Sequence, residues 1–159
     1  MIKIVKMFTI ISVGALFLSS GACKKSKSDQ GAEILEDMMD IWMSTFEDFF
    51  DIVEDNYDIC NKCVRDTANL VEQRRGQMNT LYAQWKNLTS QMSTKERMDA
   101  IEKTRSTYTE LGAKAQAMQE EHYKTFEEFD KHCSGVTAKV YKKMEEARDL
   151  YFSFMGTQY

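Results

Sequence analysis

Proline is absent from this 159-residue chain. No position therefore carries the ring that breaks a helix or blocks a backbone donor. Glycine is scarce at seven residues, and Gly14, Gly21, Gly31 and Gly156 stand near the start or the end. Strand signals are missing too: there is no Asn-Gly turn and no sustained alternation of Val, Ile or Thr. A di-iron bundle wants Glu-x-x-His twice, and neither of the two histidines has Glu three residues before it. Residues 119–122 read Gln-Glu-Glu-His and 129–132 read Phe-Asp-Lys-His. No Ser/His/Asp signature, phosphate loop or calcium loop occurs. A basic excess is also lacking, since the net charge is −4, and nucleic acid rewards a basic footprint. These absences predict an all-α protein that is not an enzyme, needs no cofactor and has no nucleic-acid partner.

The remaining residues are organised from the first turn onward. Lys3 and Lys6 precede an uncharged, mostly apolar run from Met7 to Leu18, which leads into Ser19-Ser20-Gly21-Ala22 and Cys23. A basic start, a short apolar run and a small-residue site make an export signal, and the run is too short to span a bilayer. Gly21-Ala22-Cys23 resembles the lipobox of bacterial lipoproteins, with Ser20 where that family usually has Leu. The resemblance covers only the signal. It implies cleavage before Cys23, a diacylglycerol on its thiol, and attachment to the membrane through that anchor. In the sorting pattern of enteric lipoproteins, Asp after the lipidated cysteine retains the protein at the inner membrane. Lys24 stands there, so the resemblance points to the outer membrane. Ser20-Gly21-Ala22 also satisfies the small-x-small rule of the general signal peptidase, which leaves a periplasmic or secreted soluble protein as the alternative.

Removing residues 1–22 takes Lys3 and Lys6 with it, leaving 19 basic against 25 acidic residues, a net charge of −6. Residues 23–31 then read as the anchor cysteine and a polar tether, and 32–159 as one helical domain. The first amphipathic stripe runs through Leu35, Met38, Trp42, Phe46, Phe49, Val53, Tyr57, Cys60, Cys63, Leu70, Met78, Leu81 and Trp85 to Met92. The second runs through Met98, Ile101, Arg105, Tyr108, Leu111, Ala115, Met118, His122, Phe126, Phe129, Cys133, Val140 and Met144 to Phe154. Steps of three and four sustained this long mark helices with a near-heptad, coiled-coil-like seam. Between the stripes, Ser93-Thr94-Lys95-Glu96 has the form of a capping box, so one helix ends near Gln91 and the next starts at Thr94.

These features predict an antiparallel helical hairpin. The aromatics of the first arm (Trp42, Phe46, Phe49, Phe50, Tyr57) are too many for a simple seam. They favour breaks near Gly76 and Gly135 that fold the arms into a three- or four-helix bundle. A long hairpin burying them against a second copy is the alternative. The methionines (Met38, Met39, Met43, Met78, Met92, Met98, Met118) mostly fall on the stripe and read as core filler.

After Cys23, the cysteines are Cys60, Cys63 and Cys133. In an oxidising compartment they are expected to form a bridge, Cys133 pairing with Cys60 or Cys63, with one thiol left odd. The alternative uses Cys60, Cys63, His132 and Cys133 as a metal or redox site. Neighbours on a helix point about 100° apart, so His132 and Cys133 could share a metal only if the helix broke at Ser134-Gly135. The expectation is thus an exported, lipid-anchored helical envelope protein that binds or scaffolds. Its partner would be an envelope protein or a second copy, and a surface-exposed adhesin is a further alternative.

Overall fold

A computed structural model describes residues 25–156, with side chains through Tyr151. The export signal and Cys23 lie outside the described residues. Within them are five helices and no strand: α1 (Lys27–Asp55), α2 (Cys60–Thr89), α3 (Thr94–Lys103), α4 (Arg105–Cys133) and α5 (Thr137–Gly156).

Helix α1 starts earlier than its apolar pattern suggests, because Ser26 and Asp29 form a reciprocal capping box. Lys27 to Gly31 are therefore helical, and Ser28 and Gly31 are buried. The tether expected over 23–31 is shortened accordingly. Helix α1 ends at Asn56, a buried side chain whose Nδ2 donates to the Ile52 carbonyl at 2.8 Å. Asn56 Oδ1 accepts from Lys62 Nζ at 2.6 Å. One amide thus satisfies the helix end and anchors the following turn, as Asn does where a chain reverses.

The expected break at Gly76 does not occur. Helix α2 runs straight through it, with Val71 and Met78 buried on either side. An isolated glycine costs a helix only about 1 kcal/mol, and flanking core contacts outweigh that. The polar residues that interrupt the stripe are accommodated as well. Thr67 Oγ1 donates to the Cys63 carbonyl at 2.8 Å, and Arg74 pairs with Asp48 of α1. The break falls instead at 56–59, where Asp55-Asn56-Tyr57-Asp58 carries the turn composition; Tyr57, expected in the core, is exposed.

The capping box at Ser93 and Glu96 forms as expected, with Ser93 N donating to Glu96 Oε2 at 2.7 Å and Glu96 N to Ser93 Oγ at 3.2 Å. A further interruption sits at Thr104, which is buried and gives its hydroxyl to the Ile101 carbonyl at 2.9 Å. It shifts the phase of the stripe. Met98 and Arg105 turn outward, and Ala100 and Thr104 take the inner positions. The interruption at Ser134-Gly135 is present and separates α4 from α5.

The result is an up-down-up-down bundle in which α3 and α4 make one kinked rod. Helix α1 packs against all the others, α2 also packs against α5, and α4 meets α5 only thinly. Phe49 and Phe50 of α1 are buried within the chain, and Trp42 and Phe46 are partly buried. Two clusters divide the core. At the end holding the 90–93 turn are Leu35, Met38, Met39, Met78, Trp85, Met92, Ala100 and Tyr151. At the other end are Phe49, Phe50, Val53, Cys63, Leu70, Phe129, Cys133 and Val140. Each fully buried Phe or Met contributes about 1.5–3 kcal/mol relative to exposure. Met38, Met39, Met43, Met78 and Met92 are core filler as expected, and Met98 is not.

Candidate functional site

The cysteines resolve into one bridge and one thiol. Cys60, at the first turn of α2, and Cys133, at the last turn of α4, are joined with an S–S distance of 2.01 Å and a Cα–Cα distance of 5.3 Å. The choice between Cys60 and Cys63 falls to Cys60. Cys63 is free and buried, and burial pushes its thiol above the ordinary range, with Thr67 opposing. A reactive thiol needs the reverse shift and some exposure. His132 lies outside this core, exposed, with its ring edge-on to Tyr57 at 5.8 Å. The bridge consumes two of the three thiolates that a Cys₃His metal site would need.

A polar concavity of about 450 Å³ lies between α1 and α2, lined by Asp48, Asp51, Asp55, Lys62 and Asp66; an aromatic one lies along the thin seam between α4 and α5. Near the 134–136 turn the two helices touch through stacked rings, Phe126 and Tyr141, with centroids 5.9 Å apart. Further from the turn the seam opens and exposes α1 as a floor. Two adjoining chambers result, both lined by Gln119 and Tyr123. The upper chamber is about 330 Å³, walled by Phe50, Phe126, Tyr141, Tyr123 and Met144, with Glu127 and Asp130 at its rim. The lower chamber is about 910 Å³, floored by Trp42 and Phe46 and flanked by Tyr108, Gly112, Gln116 and Arg148.

Local sequence explains this geometry. Helix α4 buries only a narrow stripe: Ala115, Phe129 and Cys133 fully, with Leu111, Met118, His122 and Phe126 in part. Gly112, Gln116 and Gln119 face the gap, and none can bridge it with apolar bulk. The floor is rigid. Phe50 stacks on His122 at 4.7 Å and meets Phe126 edge-on at 5.3 Å, and Trp42 stacks on Tyr151 at 5.3 Å. His122 Nδ1 also lies 3.4 Å from Glu54 Oε2.

Three tyrosines line the cleft while remaining solvent-accessible: Tyr108 at 46%, Tyr123 at 66% and Tyr141 at 37% exposure. Rings held half in water beside an open groove are surface suited to contact, because one end of the side chain is apolar and the other can hydrogen-bond. Partial burial pushes the Tyr141 hydroxyl above its ordinary value, and the nearby Asp130 charge adds to the shift.

Sequence reasoning missed the cleft. Tyr123 and Tyr141 lie off the buried phase of their helices, and exposed aromatics out of phase on consecutive helices were the available signal. No family model, no curated protein and no solved structure matches the chain.

Proposed function

We propose that this is an exported, lipid-anchored binding module that receives a ligand in the α4–α5 cleft and performs no catalysis. The observation that carries the reading is the cleft: two adjoining, aromatic-floored openings bordered by exposed tyrosines. Interiors at native packing density leave few such spaces, and contiguous exposed apolar surface marks interaction sites. The volumes match ligand clefts, which run from about 300 to 1,000 Å³. Among the described residues no convergent nucleophile, base and oxyanion donor borders the cleft, so binding accounts for the geometry better than reaction does.

The anchor rests on Gly21-Ala22-Cys23 and is tested by intact mass. Protein taken from its own membranes should begin at Cys23 and carry acyl chains; an unmodified Cys23 would place it off the membrane. Protease shaving of intact cells separates a surface-exposed protein from one facing the periplasm. The cleft is tested with a neutral fluorescent probe, N-phenyl-1-naphthylamine, added to the chain lacking residues 1–22. One-to-one binding with quenching of Trp42, abolished by Gln116→Trp, is the expected result. Undiminished binding by that variant, or none by either protein, would sink the reading.

A further inference from the structure

Building on the cleft reading above, we infer that the upper chamber recognises an organic cation: an ammonium group on a small apolar body, taken from solution and not from a lipid headgroup. Two kinds of group converge there. Phe50, Phe126, Tyr123 and Tyr141 supply ring surface, and Glu127 and Asp130 supply carboxylates at the rim. Aromatic faces carry negative quadrupole charge and attract ammonium groups, most strongly where water is partly excluded. The two features act on the same point, because the Asp130 charge is already felt at the Tyr141 hydroxyl.

Charge complementarity selects against the other ligand classes. Among the described residues walling the upper chamber there is no lysine or arginine, and both charged ones, Glu127 and Asp130, are acidic, so charge favours a cation over an anion. A wholly apolar ligand would strip water from the rim carboxylates without replacing it. Glu127 is engaged by Lys131 at 3.1 Å, whereas Asp130 has no ion-pair partner among the described residues. A cation entering the chamber gives Asp130 one.

Geometry chooses the source. Helix α1 rises about 35 Å from its start at Lys27 to Phe50, at 1.5 Å per residue. With Cys23 as anchor and the bundle upright on that end, the chamber is held that far from the lipid headgroups, which favours a soluble ligand.

The test is calorimetric titration of the full chain, held in lipid nanodiscs free of choline headgroups, with empty discs as the blank. The probes are benzyltrimethylammonium and its neutral isostere neopentylbenzene. The cation should bind roughly tenfold more tightly than the isostere. Asp130→Asn with Glu127→Gln should remove that preference while thermal stability is retained, and Tyr141→Leu should weaken cation binding by a similar factor. Equal binding of both probes would overturn the inference and leave the cleft reading standing. Failure of both probes, with N-phenyl-1-naphthylamine still bound, would do the same. If neither the probes nor the dye binds, both readings fall. Displacement of the cation by phosphatidylcholine discs would overturn the assignment to a soluble ligand.

Discussion

The Cys60–Cys133 bridge closes a loop with a sequence separation of 73 residues, and its loss has a calculable cost. Cross-linking removes loop-closure entropy from the unfolded chain, and a loop of this length gives about 4 kcal/mol at 25 °C. Unfolding a domain of about 130 residues carries an entropy near 2.1 cal/mol/K per residue, so that loss lowers Tm by about 15 °C. Calorimetry of oxidised and reduced protein reads the shift directly. Cys60→Ser with Cys133→Ser should match the reduced wild type, and Cys63→Ala should leave the reductant-induced shift intact. Connectivity is checked without unfolding data, because trypsin cuts after Lys62 and so separates the two nearby cysteines. In non-reduced digests, peptide 132–139 should be linked to 28–62. Linkage to 63–65 instead, or a Tm that moves only a degree or two on full reduction, would refute the reasoning.

The remaining predictions concern packing, protonation and the cleft. A Cβ at Gly31 would lie 3.0 Å from the Ala100 Cβ and 3.2 Å from the Trp85 ring, whereas one at Gly76 meets nothing within 4 Å. Gly31→Val should therefore cost about 1–3 kcal/mol and Gly76→Ala should add about 0.5–1 kcal/mol in urea unfolding; shifts of the same sign would contradict the packing. Lys103, with Ser26 assisting, lowers the Asp29 carboxyl from 3.8 to about 2. Since the folded value lies below the unfolded one, its stabilisation is present above the unfolded value and is lost as pH falls through about 2. Asp29→Asn should lower stability across the neutral range and remove that acid limb, so that variant and wild type converge towards pH 2, as followed by urea midpoints across pH. Gln119→Leu, which places apolar bulk across the seam, should raise Tm and weaken probe binding together; a gain in stability with binding intact would separate the cleft from function.

Much of the fold was legible because it depends on periodicity. The Ser93/Glu96 capping box, the interruption at Ser134-Gly135 and the all-α class follow from residues that act locally. The misplaced break has an equally local cause. A glycine interrupts a helix less than its reputation suggests when Val71 and Met78 hold the turns beside it, whereas Asn56, with both ends of its amide engaged, terminates one outright. The start of α1 was hidden because Ser26 and Asp29 form a cap before any apolar residue announces a helix. Choosing Cys60 over Cys63 required three dimensions, since they lie on nearly the same face and only packing decides which reaches Cys133. The cleft was invisible for another reason. A stripe records which residues face inward, but not whether the neighbouring helix is close enough to cover them.

The open seam and the bridge belong to one arrangement. The α3–α4 rod is tied at one end by Lys103, whose Nζ reaches Ser28 Oγ at 3.0 Å and Asp29 Oδ1 at 2.7 Å. At the other end Cys133 is fixed to Cys60. Between these ties, the seam-facing positions hold Gly112, Gln116 and Gln119, where a closed four-helix bundle would place apolar side chains. Larger residues there would bury Trp42 and Phe46 more fully and favour the folded state. The chain forgoes that stabilisation in the middle of the rod and fastens its ends instead, one covalently and one by charge. A bundle whose only task was to fold would have no use for end ties around an unfilled middle. An arrangement that keeps the seam open would, because both ties hold the rod against α1 and α2 and neither draws it towards α5. On this argument the bridge stabilises the opening as well as the fold, and reducing it should blur the cleft before the rest of the core is lost.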